Sequence, residues 1–208
     1  MTRSLPALFA LPLLLAALLA CERKDETTTP ATSAPSAADE MSSAADAANP
    51  PGEEPPTPGA RVTFAPTQGN KAAGELLLFN EGTSVRLSGQ VTGLKAGTDH
   101  AIHIHEKGDC SAPDGSSAGD HFNPTSRTHG HPDAPEQHHS GDMYNVYADD
   151  KGIAAVENRA TEATLGDGAP TDVMGRSVVV HEKADDYKTQ PAGNSGKRIA
   201  CGVIQPQP

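Results

Sequence analysis

Histidine is the commonest transition-metal ligand and otherwise a scarce, half-buried residue. A chain that places eight of its nine histidines between His100 and Asp142 therefore points first to metal chemistry. His103 and His105 stand two apart in AIHIH, so on a strand both rings project from one face at a separation that one ion can bridge. Alone, such a pair is often incidental. His121, His129, His139 and Asp142 follow in a stretch whose flexible backbone can bring them to a second centre. Three imidazoles and a carboxylate make the closed tetrahedral shell of a structural zinc site. His181, far downstream in VVVHEK, is placed to complete the first centre from a distant strand.

These side chains need a frame, and from about Ala60 the chain reads as β structure. Short runs beginning at Val62, Glu75, Val85, His100, Tyr144, Ile153, Arg176 and Ile199 are strand-like, most of them bounded by Gly, Pro, Asn or Asp. Eight such strands predict an all-β sandwich or barrel. Asp149-Asp150-Lys151-Gly152 predicts a hairpin turn, with Gly152 at positive φ and the flanking strands antiparallel neighbours. Two segments, 106–141 and 182–197, refuse to be strands. Loops of that length are usually functional or disordered, and one carries most of the histidines while the other follows His181. Both are expected to build the site.

The remainder of the chain bounds the setting. Residues 60–208 carry 13 Lys and Arg against 19 Asp and Glu, a net of −6 with no basic cluster, which argues against nucleic acid. Residues 1–20 combine a basic start at Arg3 with a short, Pro-broken apolar run, the pattern of an export signal rather than a membrane span. Leu18-Leu19-Ala20-Cys21 resembles a bacterial lipoprotein cleavage box, which makes Cys21 the expected lipidated first residue. Residues 21–59 are Thr, Ala, Ser, Pro, Asp and Glu with almost nothing to bury, and are expected to be a disordered tether. The domain itself is expected to span 60–208.

The runs HIHEKGDC, AGDHFNP, the HxGD from His139 to Asp142, GRSVVVHEKADD and GKRIACGVI closely resemble, in that order, the copper,zinc superoxide dismutases, over the domain from about Ala60 to Ile204. The resemblance implies an eight-stranded antiparallel Greek-key β-sandwich or barrel with two long functional loops. It implies one copper and one zinc per subunit, and dismutation of superoxide to dioxygen and hydrogen peroxide. It places copper at His103, His105, His121 and His181, and zinc at His121, His129, His139 and Asp142, with the His121 ring shared. It gives Asp185 the carboxylate that orients one ligand of each metal, Arg198 the docking of the anion, His121 a proton-donating role, and Cys110 and Cys201 a disulfide. One lipidated and two paired cysteines leave no free thiol, as suits an exported protein.

The chain also departs from the cytosolic pattern of that family. An additional residue between His129 and His139 makes His138 a competing zinc ligand, although His139 keeps the HxGD spacing. The second loop lacks the paired glutamates of the cytosolic enzymes, so substrate guidance is expected to centre on Lys183, Lys188 and Arg198. His100, His131 and His138 match no role and are expected at solvated positions, while Phe122, Tyr144 and Tyr147 are expected to pack the core. The export signal places the protein in the bacterial periplasm or cell envelope. Its membrane contact is expected only through Cys21, and Glu22 leans the anchor toward the outer membrane. A homodimer is compatible with the sequence without being derivable from it. The competing readings are a non-catalytic copper- or zinc-binding envelope protein and a structural interaction domain; the complete ligand set and Arg198 favour the enzyme.

Overall fold

The computed structural model of the chain describes residues 56–208. The expected leader at 1–20, Cys21 and most of the tether lie outside the described residues. Nine strands form among the described residues: β1 (Ala60–Pro66), β2 (Ala73–Asn80), β3 (Ser84–Thr92), β4 (Asp99–His100), β5 (Ile102–His105), β6 (Val146–Tyr147), β7 (Ala154–Thr161), β8 (Ser177–His181) and β9 (Arg198–Pro206). Each of the eight sequence runs contains a strand. The count is nine because the fourth run breaks at Ala101, whose N–H and carbonyl bond to Lys183 and His181 instead.

Seven strands form one antiparallel sheet in the order β5-β8-β9-β1-β2-β3-β7, and β4 pairs with β6. β4 runs straight into β5 at one edge, and β6 precedes β7 at the other. The short β4–β6 ladder therefore draws the two edges together into a nearly closed barrel, with the long-range crossings of a Greek key. The expected turn at 149–152 forms, with Gly152 at φ +74° and the Asp149 carboxylate accepting from the Lys151 and Ile153 N–H groups. Its flanking strands do not ladder with each other as the turn suggested. β6 turns to β4 and β7 to β3, because closing the barrel takes β6 away from its sequence neighbour.

The core follows the period of two. Along β7, Ala154, Val156, Asn158 and Ala160 are buried while Ala155, Glu157 and Arg159 are exposed. Val62, Leu76, Leu78, Val85, Leu87, Ile102, Ile104, Val178 and Val180 meet in one cluster, each fully buried aliphatic worth about 1.5–3 kcal/mol relative to exposure. β5 and β8 break the alternation, since every residue of both is buried. Ile102, Ile104, Val178 and Val180 point to the core. On the outer face Val179 packs with Ala118 and Cys201 beneath the first long loop, and His103 lies opposite Val179 in the ladder. The face that carries His103 and His105 is thus the outside of the barrel, roofed by loop.

Of the three aromatics expected in the core, only Phe122 is there, 3% exposed with the Arg176 guanidinium 3.9 Å above its ring. Tyr144 and Tyr147 are exposed at 38% and 61%. Aliphatic side chains fill most of the barrel, and on β6 Val146 takes the inward position, which turns Tyr147 outward.

Cys110 and Cys201 form a disulfide that ties the first long loop to β9 across 91 residues of sequence. Closing a loop of that length restricts the unfolded chain by about 4–5 kcal/mol in the chain-entropy picture. Replacing both cysteines by serine is expected to lower unfolding free energy by up to that amount, read from guanidinium titration of the metal-loaded protein. An unchanged midpoint would show that the bridge adds nothing to this fold.

Candidate metal centre

The first long segment begins the assembly of the site by pairing with β5. Ile104 donates to the Gly141 carbonyl at 2.9 Å, Phe122 donates to the Ile104 carbonyl at 2.8 Å, and Gly141 donates to the Phe122 carbonyl at 2.9 Å. This backbone weave sets His121 opposite His105 and Asp142 opposite His103. Gly141 is the enabling residue, because a Cβ there would sit 2.2 Å from the Ile104 carbonyl oxygen. From the other side a register shift between Val180 and His181 sets His181 opposite Arg198 on β9.

The side chains gather into two groups that share one ring. Ligand atoms of His103, His105, His121 and His181 all lie within 4.8 Å of one another, as do those of His121, His129, His139 and Asp142. The His121 ring centroid is 4.0 Å from that of His103 and 5.0 Å from that of His105, and 5.4 and 5.5 Å from those of His129 and His139. Every ligand residue is buried.

Their hydrogen bonds show which atom each ring keeps free. His103 uses Nε2 on Asp185, His105 uses Nδ1 on the Gly119 carbonyl, and His121 uses Nδ1 on Asp142. His103 Nδ1, His105 Nε2, His121 Nε2 and His181 Nε2 are then buried with no partner, and so are His129 Nδ1 and His139 Nδ1. In the second group Asp142 Oδ1 lies 2.8 Å from His121 Nδ1, 3.0 Å from His129 Nδ1 and 3.4 Å from His139 Nδ1, the latter two not aligned as hydrogen bonds. Those spacings suit the edges of a tetrahedron around zinc, roughly 3.3 Å for bonds near 2.0 Å. The first group offers four imidazoles and no carboxylate, a donor set that suits copper. Both groups fit the ions that the sequence resemblance implies.

Electrostatics favour the ligand state. Burial, followed by repulsion from His103, pushes His121 down to about 3. Burial and then the charges of His121 and Arg198 hold His105 well below the usual range, and burial with His103 and His105 does the same to His181. These rings are neutral at neutral pH with a lone pair to give. For His129, burial is outweighed by the Asp142 carboxylate close to its Nδ1 and the Asp185 carboxylate bonded to its Nε2, which raise it to about 9. An ion at its Nδ1 must displace that proton. Burial also works against the charges of Asp142 and Asp185, yet the imidazoles around them keep both carboxyls well below the usual range.

Asp185 bridges the two groups, with Oδ2 2.8 Å from His103 Nε2 and Oδ1 2.9 Å from His129 Nε2. Its backbone is clasped by Asn145, which donates to the Asp185 carbonyl and accepts from the Asp185 N–H. Gln190 likewise spans the backbone of His129 through both side-chain ends. Gly193, at φ +62°, leaves room for the bridge, since a Cβ there would lie 1.7 Å from Asp185 Oδ1. Asn145, Gln190 and Gly193 were not legible as site residues, because amides and glycines in loops have no spacing that marks a site.

The remaining histidines correct the expectation of solvation. His100 is 1% exposed, its Nδ1 2.8 Å from the His181 carbonyl and its Nε2 3.1 Å from Thr98 Oγ1. His138 is 5% exposed with both nitrogens engaged, on the Ala134 carbonyl and Thr161 Oγ1, and stands outside the second group, to which His139 belongs. His131 is only half-buried, its ring edge-on to Tyr144 and Tyr187.

A cavity of about 770 Å³ opens over the first group, with His105, His121 and His181 in its wall beside Arg198 and Arg127. Arg198 is fixed by Nη1 on the Gly115 carbonyl at 2.7 Å and Nη2 on the Gly119 carbonyl at 2.6 Å, the latter oxygen also holding His105. Of the three cations expected to guide substrate, only Arg198 lines this cavity. Lys183 and Lys188 are exposed and outside it.

Known proteins share these features. Residues 72–204 match the family described as copper/zinc superoxide dismutase. The chain is 44% identical over 136 residues to Cu-Zn superoxide dismutase 2 of Aquifex aeolicus, covering 63% of this chain and 77% of that one. It is 42% identical over 142 residues to the Cu-Zn superoxide dismutase of Caulobacter vibrioides, covering 65% and 79%. The crystal structure of a SOD-like protein from Bacillus subtilis superposes with a TM-score of 0.63 at 33% identity, over 71% of this chain and 99% of that one. A match that runs from before β2 to the end of the core in β9 takes in both histidine groups and every strand but β1, and on it the chain belongs to the copper/zinc superoxide dismutase family.

Proposed function

We propose that His103, His105, His121 and His181 hold copper, that His121, His129, His139 and Asp142 hold zinc, and that Arg198 docks the substrate. The reaction is the dismutation of superoxide, with copper and zinc as cofactors. The observation that carries the residue assignment is the single buried ring of His121, bonded through Nδ1 to Asp142 and left open at Nε2 among the three other imidazoles. Copper held by the first group would supply the one-electron redox chemistry that the dismutation requires.

The chain's own groups supply binding and protons. Arg198 has a guanidinium that is always charged, anchored so that it cannot swing away from the cavity wall, and it orients a small anion better than a mobile lysine can. His121 Nε2 takes up a proton between the two half-reactions and gives it to the peroxide product, while the Asp142 side keeps the ring in place. Asp185 holds His103 and His129 in orientation, each through one carboxylate oxygen. The second proton comes from solvent through the open cavity.

The domain boundaries at 60–208, the export leader at 1–20 and the lipidated, tethered start at Cys21 belong to the same proposal. They make this an envelope enzyme that removes superoxide outside the cytoplasm, with an outer-membrane anchor favoured by Glu22. The family includes relatives named extracellular, from Onchocerca volvulus and Caenorhabditis elegans, and the apolar run before Cys21 supports export.

Three measurements test these assignments. Arg198→Ala is expected to lower the dismutation rate by about 10- to 100-fold and to flatten its dependence on ionic strength, with copper and zinc content unchanged by metal analysis. Lost metal would show that the arginine is structural. Gly193→Ala is expected to push the Asp185 carboxylate off His129 and weaken metal binding by about 10- to 100-fold, measured by chelator competition; full retention would remove Asp185 from its bridging role. Mass spectrometry of the protein recovered from membranes is expected to find a diacylglyceryl-modified Cys21 as the first residue, and an unmodified N-terminus would discard the anchor.

A further inference from the structure

We propose that Ser195 is a positioning residue for His181, its hydroxyl holding the ring nitrogen that faces away from copper; this rests on the assignment of His181 to the copper group. Ser195 lies in the second long loop, 3% exposed, with Oγ 3.1 Å from His181 Nδ1 and 2.9 Å from the Ala192 carbonyl. A hydroxyl has one proton to donate, and the Ala192 carbonyl can only accept it. Ser195 Oγ therefore turns a lone pair toward His181, and Nδ1 carries the ring's proton. That tautomer leaves the lone pair on Nε2, which is buried without a partner and points into the copper group.

The other acceptor within reach, the Gly196 carbonyl, is 3.5 Å from Nδ1, at the outer limit of a hydrogen bond. The remaining three rings of the group are each oriented by an oxygen: an Asp185 carboxylate, the Gly119 carbonyl and the Asp142 carboxylate. His181 is the ring held by a neutral side-chain hydroxyl. The hydroxyl is itself fixed, because Ser195 donates its N–H to the Ala192 carbonyl at 3.3 Å and accepts from the Lys183 N–H at 2.9 Å, two residues beyond His181. The second loop thus reaches back to set the angle of the one copper ligand that comes from β8.

The test compares Ser195→Ala and Ser195→Thr with the wild type in the copper- and zinc-loaded enzyme. Three readouts are taken: copper affinity by chelator competition, the Cu(II) electron paramagnetic resonance spectrum, and solvent exchange of the His181 Nδ1 proton in the reduced, diamagnetic form. The alanine variant is expected to bind copper about tenfold more weakly and to exchange that proton about tenfold faster. Its Cu(II) spectrum should be altered and its zinc affinity unchanged, and threonine should restore all of these. Wild-type copper affinity, spectrum and exchange in the alanine variant would overturn the proposal. So would loss of zinc together with copper, or failure to fold, which would make Ser195 a general structural residue. A wild-type enzyme whose His181→Ala variant kept full copper affinity would instead overturn the assignment of His181 itself.

Discussion

Six imidazole nitrogens, buried and unpaired, are what the rest of this structure is arranged to hold. Of the eight buried side-chain polar atoms without a hydrogen-bond partner among the described residues, six belong to His103, His105, His121, His129, His139 and His181. Leaving a buried polar group unpaired costs about 1–3 kcal/mol each, and folded proteins rarely tolerate it. Here the atoms are not scattered faults but converge on two points. An ion at each point satisfies all six, so metal binding in this domain is also folding free energy. The same burial keeps His105, His121 and His181 neutral, which makes them good ligands and poor bases until a lone pair is released.

Convergence of this kind needs a rigid floor and a pinned roof. The floor is the outer face of β5 and β8, whose inner face is locked into the core by Ile102, Ile104, Val178 and Val180. The roof is loop, and three devices keep it down: the backbone weave of Phe122 and Gly141 on Ile104, the Cys110–Cys201 disulfide, and the Asp185 bridge between His103 and His129. The two groups share His121 directly and Asp185 through its two oxygens, so an ion in one group would order two residues that the other also depends on. Coupling between them is then a property of the geometry, and by linkage it acts equally in both directions.

Much of this was legible before any coordinates. The spacing of His103 and His105 puts both on one face of a strand, the HxGD spacing favours His139 over His138, and two segments too long and too broken for strands are the two that cover the site. What escaped has a common cause. His100 and His138 look like spare surface histidines, yet each spends both nitrogens, one on a local partner and one on a partner distant in sequence, His181 for His100 and Thr161 for His138. Asn145, Gln190 and Ser195 act through loop conformation, which leaves no period to detect. The tyrosines misled because a scarcity of aromatics suggests that each one is needed inside, whereas Leu, Val and Ile fill this barrel. The strands beside the 149–152 turn misled because adjacency in sequence yielded to closure of the barrel.

Charge poses the last problem, since the domain is acidic and the substrate is an anion. At physiological ionic strength charges more than about 8 Å away through solvent are largely screened, so the net charge of the domain matters less than what stands in the cavity wall. Arg127 and Arg198 stand there with Glu106 and Asp120. Arg127 is paired with Glu162, which offsets its field. Arg198 is half-buried and its fixed partners are carbonyl oxygens rather than carboxylates, so its charge is oriented without being neutralised. Burial lowers its basicity only from a very high starting value, and Asp120 and Asp114 work against that loss, so it stays protonated at any physiological pH. Of the two arginines in the cavity wall, Arg198 is therefore the one whose charge is left to act on an anion, and in salt it acts only over a short range.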